Sequence, residues 1–199
     1  MSNGAFGFDE TTTEGNDFKY LVVNGVEDAI QSDIFFKDFT VGAWPDGATF
    51  LEVTVTNKTG QTTTGRYSLG KDDGTEESKK KKISSIQAVV KNFATKVLGE
   101  NAKLGGNDLK DFFEKAVIAI KAKPGWDKIN LTAMFIHDKA GFTKLRAFSP
   151  IVELSSTPDK VAKLKHSNFE IDAFVKKQTP SAEGNGFTSS TPTTSADIF

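Results

Sequence analysis

Side chains alternate between two faces along residues 48–57, and this alternation constrains the fold more than any other feature of the chain. Leu51, Val53 and Val55 point one way, while the opposite face carries Phe50 and polar Glu and Thr residues. A period of two residues is typical of an extended chain with one buried face. The alternation therefore predicts a β-strand that covers a core on one side only.

Turn signals lie on both sides of this strand. Trp44-Pro45-Asp46-Gly47 precedes it and Asn57-Lys58-Thr59-Gly60 follows it, and both are rich in residues that favour tight turns. Residues 35–43 and 61–69 have the Thr, Val and aromatic content of strands. We therefore predict three antiparallel strands joined by short turns, followed by a charged loop over residues 72–82.

The spacing of apolar residues then becomes helical. The apolar positions recur every three or four residues at Ile83, Ile86, Val90, Phe93 and Val97. Gly99 suits the end of this helix. A second helix is predicted to begin at Asn107 or Asp108 and to end at Pro124-Gly125.

Strands are predicted again after the second helix. Residues 129–137 contain few polar side chains, as expected of a buried strand, and residues 142–148 and 151–154 follow as further strands. Thr157-Pro158-Asp159 starts a short helix with proline at its first position. Residues 169–175 are predicted to form a last strand.

Three strands, a helical block and two more strands follow one another in the order of an OB-fold. We predict a mainly β (α+β) fold, a five-stranded OB-fold barrel with a two-helix insertion between strands 3 and 4. Other small α+β folds are compatible with the same order. The barrel is assigned to residues 19–177, between a flexible acidic arm (1–18) and a disordered linker with a C-terminal tip (178–199).

Charge is unevenly distributed along the chain, although the net charge is only −1. Residues 1–18 contain four acids and no base, and residues 181–199 contain two acids and no base. The body between them carries 25 basic and 20 acidic side chains. A basic excess on the body favours a polyanionic ligand over a neutral one.

Several classes of protein are excluded or disfavoured by composition and motifs. The chain has no Cys and only two His, which excludes disulfides and thiolate metal sites and disfavours a His-rich site. P-loop, GxSxG and HExxH motifs are absent, and His137 is expected to be structural rather than a general base. We predict a non-enzymatic, cytoplasmic protein (host cytoplasm if viral) with no cofactor, no metal and no membrane span.

Four residues at two-residue spacing share one face of the predicted fifth strand: Phe142, Lys144, Arg146 and Phe148. Because unpaired buried charges are costly, this face is predicted to be exposed. Exposed rings interleaved with cations suit a single nucleic-acid strand, whose bases stack while the cations follow the phosphates. Alternatively, the two Phe cover a barrel rim and the cations are ordinary solvated side chains.

Other segments add residues to the same predicted site. An OB-fold binds oligonucleotides across strands 2 and 3, between the loops joining strands 1–2 and 4–5. Those positions hold Trp44, Phe50, Arg66 and Lys139. The lysines at 79–82 either contact phosphate or lie in a solvated loop, and Trp126 is expected to pack on the core.

The last three residues, Asp197, Ile198 and Phe199, follow a Ser/Thr/Pro-rich segment and end in a carboxylate on an aromatic residue. This layout resembles bacterial and phage single-stranded-DNA-binding proteins, whose OB body is followed by a flexible linker and an acidic tip ending in Phe, often D-D-I-P-F. Here the proline is absent and the acidic cluster is reduced to one Asp. The alternative is a frayed tail without function.

The resemblance, closer to the phage type, implies sequence-independent binding of single-stranded DNA in replication, recombination and repair. It also implies that Asp197, Ile198 and Phe199 recruit replication and recombination proteins, and that the tip competes with DNA for the groove. The alternative function is a non-enzymatic viral structural or protein-interaction module that binds no nucleic acid. The sequence leaves the oligomeric state open, and a homo-oligomer is compatible with it.

Overall fold

The computed structural model describes residues 19–70 and 74–178. The strands in these ranges are β1 (Ile30–Ala43), β2 (Thr49–Asn57), β3 (Thr62–Ser68), β4 (Leu131–His137), β5 (Thr143–Leu145) and β6 (Val152–Leu154). The helices are α1 (Glu76–Leu98), α2 (Leu109–Ala122), α3 (Pro158–Val161) and α4 (Asn168–Gln178). Single 3-10 turns lie at Val26–Asp28 and Trp126–Lys128. The predicted arm and C-terminal tip lie outside the described residues.

The strands form a mostly antiparallel sheet that curls into a nearly closed barrel. Its order is β3-β2-β1-β4-β5, and β6 pairs with β4. The outer strands β3 and β5 meet through side chains: Thr63 Oγ1 donates to the Thr143 carbonyl over 2.5 Å, and the Tyr67 hydroxyl donates to the Arg146 carbonyl over 3.0 Å. Gly65 permits this approach, because a Cβ there would lie 2.9 Å from Leu145 Cβ.

The segment before the first 3-10 turn fills the gap between β3 and β5. Leu21 N donates to the Thr62 carbonyl over 2.9 Å, beside a parallel bridge between Tyr20 and Thr62. Farther along, Val23 N donates to Thr143 Oγ1 over 3.0 Å. Leu21 and Val23 are buried, so this segment belongs to the barrel wall.

Phenylalanine dominates the core inside the barrel. The rings of Phe36 and Phe39 lie 4.9 Å apart, and Phe93 of α1 meets Phe36 edge-on at 5.9 Å. Trp126 packs on Phe39 at 5.7 Å, which confirms its expected place at the core. Such ring pairs stabilise the core beyond the area they bury, by about 0.5–1.5 kcal/mol each.

Most of the strand and helix predictions are confirmed. Leu51, Val53 and Val55 are all buried, as the alternation in β2 predicts. Gly99 follows α1 with a φ of 91°, and the Asp108 side chain caps α2 by accepting from Asp111 N over 2.8 Å. These signals succeed because alternation and caps are local properties of the sequence.

Asn92 connects α1 to the chain entering β6. Its buried amide oxygen accepts hydrogen bonds from Ile151 N and Val152 N, at 2.8 and 3.0 Å, and its amide nitrogen donates to the Val152 carbonyl over 3.1 Å. A buried amide with these partners carries no desolvation penalty for an unpaired group. The contact fixes α1 against the chain at the start of β6.

Two local predictions are wrong. Residues 79–82 lie within α1 rather than in a loop, because Thr75 caps the helix ahead of them by accepting from Ser78 N over 3.2 Å. Residues 169–175 form part of α4 rather than a strand. Ser167 and Glu170 make a capping box there: Ser167 N donates to Glu170 Oε2 over 2.8 Å, and Glu170 N donates back to Ser167 Oγ over 3.4 Å.

None of the helices in the described ranges is both long and apolar enough to cross a membrane.

Candidate nucleic-acid interface

The outward face of β1, β2 and β3 carries its side chains in cross-strand rows. The three central rows are Gly42–Phe50–Ser68, Thr40–Glu52–Arg66 and Asp38–Thr54–Thr64. This face lies opposite the buried row of Leu51, Val53 and Val55. Threonine-rich rows leave an open surface, and large rings stand at its two ends.

At one end of this face, Trp44, Phe50 and Arg66 form what we call the aromatic cluster. The ring centroids of Trp44 and Phe50 are 4.8 Å apart, and the Arg66 guanidinium carbon lies 5.4 Å from the first and 5.3 Å from the second. A guanidinium at this distance is attracted by both ring faces. The structure thus brings together three residues that the sequence predicted for one site.

Gly42 makes room for the aromatic cluster. A Cβ at this position would lie 2.5 Å from Cζ of Phe50. The Phe50 ring therefore lies across the β1 backbone, where only glycine lets it approach so closely. From there it contacts Trp44, which is 38 % exposed.

Glu52 pairs with the cation of the aromatic cluster. Arg66 Nε donates to Glu52 Oε2 over 2.5 Å. The carboxylate is the more buried partner, with 23 % of its side chain exposed against 51 % for Arg66. Arg66 therefore stands on the rings as part of an ion pair and not as a lone charge.

A groove of about 450 Å³ lies at the other end of the face, and we call it the threonine groove. Its lining includes five threonines from β2, β3 and β5, namely Thr54, Thr62, Thr63, Thr64 and Thr143. Tyr20 and Phe142 also line it and are 70 % and 65 % exposed. Two large exposed rings beside a groove that also holds lysines suit the stacking of nucleic-acid bases.

Two cations, Lys37 and Lys144, line the threonine groove. Among the described residues, no carboxylate lies within ion-pairing distance of Lys37 or Lys144. The neighbouring acid, Asp38, is already paired with Lys121 Nζ at 2.6 Å. Asp38 also lines the groove, so among the described residues its lining holds two lysines and one carboxylate, which Lys121 shares.

Arg146 does not lie on the exposed face predicted for it. Strand β5 ends at Leu145, and the chain then turns so that the Arg146 side chain is only 11 % exposed. Its Nε and Nη2 donate to the two carboxylate oxygens of Glu170 over 2.7 and 2.9 Å, and its Nη1 donates to the Pro150 carbonyl over 3.1 Å. This cation stabilises the packing of α4 and is not available to a ligand.

Glu170 is strongly held as a carboxylate. Burial would raise its pKa, but hydrogen bonds from Arg146 and Ser167 outweigh burial and lower the pKa to about 2. The direction of this shift agrees with the two hydrogen bonds that Arg146 donates to Glu170.

Other predicted residues stand apart from the two ring sites. Lys139 and Phe148 are exposed, but neither lines the threonine groove. In α1, Lys79 pairs with Glu76 at 3.3 Å and Lys81 with Glu77 at 2.7 Å. The predicted tip residues Asp197, Ile198 and Phe199 lie outside the described residues.

The two histidines lie near α4. His137 Nε2 is 2.6 Å from the Val23 carbonyl oxygen, and its ring packs on Phe174 at 4.7 Å, in keeping with the structural role expected of it. Burial lowers the pKa of His166, although the Glu170 carboxylate nearby acts to raise it. The described residues contain no group of three potential metal ligands.

Tyr20 and Lys37 were missed by the sequence analysis. Tyr20 sits beside β3 through a bridge to Thr62, a contact between residues 42 positions apart that no local pattern encodes. Lys37 lies where the β1–β2 register shifts between Phe36 and Asp38. Because of this bulge, its side chain does not follow the alternation of buried and exposed positions along β1. Only the abundance of Thr in residues 54–64 pointed to a polar outer face.

No protein-family model matches the chain, and a search of curated proteins finds none with a similar sequence. The geometry of the outward face therefore has to carry the functional inference.

Proposed function

We propose that this protein binds single-stranded DNA, without regard to sequence, across the outward face of β1, β2 and β3. The body would be an OB-fold: five strands in the order β3-β2-β1-β4-β5, with α1 and α2 inserted between β3 and β4 and β6 added beside β4. The observation that carries the proposal is the threonine groove, where exposed rings stand beside two lysines that have no carboxylate at ion-pairing distance among the described residues.

Bases would stack on the exposed rings of Tyr20 and Phe142, and on the aromatic cluster at the opposite end of the face. Each stacked base contributes about 1–3 kcal/mol in proteins of this kind. Lys37 and Lys144 would follow the phosphates between them. Ring faces accept every base, so this mode of binding has little sequence preference.

The C-terminal residues Asp197, Ile198 and Phe199 would recruit replication, recombination or repair proteins. The support is their sequence: an aromatic residue bearing a carboxylate, next to an isoleucine and an aspartate. Peptide ends of this kind are captured by an apolar pocket with a basic rim. The resemblance to phage-type single-stranded-DNA-binding proteins supports the same role, with no enzymatic activity.

Titration with oligo-dT at low salt tests the binding proposal directly. We expect quenching of Trp44 fluorescence, affinity that falls with salt, and weaker binding to a duplex of equal length. Trp44→Phe should remove the quenching, because Trp126 lies against the core. A Tyr20→Ala/Phe142→Ala variant should bind at least tenfold more weakly and keep its thermal stability. Absence of binding by the intact chain would leave a protein-interaction module as the function.

A further inference from the structure

We propose that Glu52 lowers the affinity of this face for single-stranded DNA by holding Arg66 on the rings of Trp44 and Phe50 as a neutral ion pair. This inference rests on the proposed function and names a residue that sets its strength. Glu52 lies in the row between Phe50 and Thr54, on the line from the aromatic cluster to the threonine groove.

The geometry shows why Arg66 is occupied. Its Nε donates to Glu52 over 2.5 Å, while the guanidinium rests between two rings at 5.3 and 5.4 Å. Three contacts therefore hold one side chain in one place. Removal of the carboxylate alone would leave the guanidinium on the rings, because the ring contacts do not depend on Glu52.

Charge decides the effect of the pair on a polyanion. A cation that neutralises a phosphate releases a counterion, whereas a pair with no net charge contributes little to this gain. A phosphate that approaches Arg66 also approaches the Glu52 carboxylate, well inside the screening length of about 10 Å at 0.1 M salt. Repulsion by Glu52 therefore offsets attraction by Arg66.

The threonine groove provides the comparison within the same face. Lys37 and Lys144 line it, and among the described residues neither has a carboxylate at ion-pairing distance. One end of the face thus carries two lysines against one lining carboxylate, Asp38, which is paired with Lys121. The other end carries rings and an arginine neutralised by Glu52. We infer that the aromatic cluster contributes stacking and little electrostatic attraction.

The opposite role for Glu52 is positional. If Arg66 contacted phosphate through its remaining N–H groups, Glu52 would orient it and its loss would weaken binding. Loss of the Glu52 carboxylate raises DNA affinity in the first role and lowers it in the second. A single affinity measurement therefore separates the two roles.

Glu52→Gln removes the charge and keeps the size and the hydrogen-bond acceptor. We expect tighter binding of oligo-dT and a steeper salt dependence, by about 0.7 in the slope of log K against log salt. The ratio of the variant's oligo-dT affinity to that of the native protein should therefore fall about 2- to 3-fold between 50 and 200 mM salt. Glu52→Asp keeps the charge and should bind like the native protein.

The pair can also be removed without changing the charge of the face. Glu52→Gln/Arg66→Gln should return the salt slope to the native value, whereas Arg66→Gln alone should bind more weakly because it leaves an unpaired carboxylate. Glu100→Gln is the matched control. It removes a carboxylate paired with Lys160 at 2.5 Å in a separate cleft beside α1, and should leave DNA affinity unchanged.

The outcomes separate this inference from the proposed function. If the native protein binds oligo-dT and folded Glu52→Gln binds equally or more weakly, the inference is wrong and the proposed function stands. An equal gain in DNA affinity with Glu100→Gln would mean that only the net charge of the protein matters, and this result would also overturn the inference about Glu52. If the native protein binds no oligo-dT, both fail. Near-ultraviolet circular dichroism confirms that each variant is folded.

Discussion

At the scale of single residues, Arg146 differs from Lys144 although both were predicted to be cations of one strand. Lys144 stays beside the threonine groove, whereas Arg146 forms two charge-assisted hydrogen bonds with Glu170. A bidentate pair of this kind with 11 % exposure is held by geometry as well as by charge. Both are cations at alternate positions of one predicted strand face, so their positions in the sequence could not separate them.

Arg146→Met should destabilise the protein and leave DNA binding unchanged where the protein is folded. It leaves Glu170 buried without its partner, and removal of one member of a buried pair costs about 3–5 kcal/mol. Urea unfolding measures the loss. Lys144→Met is the matched control and should reverse the pattern, with native stability and weaker binding. Native stability in Arg146→Met would show that the pair contributes nothing.

His166 should make stability depend on pH near neutrality. Burial lowers the pKa of His166 in the folded state, so the unfolded chain binds the proton more readily. Stability should therefore fall as pH decreases below about 6.5, the ordinary pKa of histidine. Glu170 acts in a separate window: its stabilisation is lost as pH falls from about 4.5 towards 2.

Urea midpoints measured from pH 8 to pH 5 test the role of His166. His166→Gln should flatten the profile over this range and leave the loss at lower pH in place. An unchanged profile in the variant would assign the pH dependence to another group.

At the scale of elements, β2 and α4 show what local patterns can and cannot predict. The alternation in β2 is confirmed because one face of the strand is buried along its whole length. In α4 the sequence also alternates, but the capping box of Ser167 and Glu170 starts a helix. The signal was present as S-x-x-E, and the two-residue alternation of Phe169, Ile171 and Ala173 obscured it.

The pairing of β1 with β2 carries a prediction about the aromatic cluster. Gly42→Ala places a methyl group where the Phe50 ring now lies, so the ring must move away from Trp44. We expect a several-fold loss of oligo-dT affinity and reduced quenching of Trp44, with a loss of stability of no more than about 1–3 kcal/mol. Thr40→Ala, on the same strand and face, should bind as the native protein. Unaltered oligo-dT affinity in Gly42→Ala would show that the position of the Phe50 ring does not contribute to DNA binding.

At the scale of the whole molecule, the candidate site is assembled from distant parts of the chain. Tyr20, Thr54, Thr64 and Phe142 meet in one groove only because the barrel nearly closes. Each half of the site follows from its own strand pattern, and the aromatic cluster was predicted from strand order and turn position. The threonine groove was not, since it joins segments far apart in the chain: Phe142 is 78 positions from Thr64 and 122 from Tyr20.

The bonds that join Val23 to the second half of the barrel also bear on protein synthesis. Val23 N reaches Thr143 and the Val23 carbonyl reaches His137, contacts that span 120 and 114 positions. During translation, the first folded segment therefore leaves the ribosome long before its partners are made. The last closure of the barrel must wait for β5, and until then the edge of β3 is open to pairing with other chains.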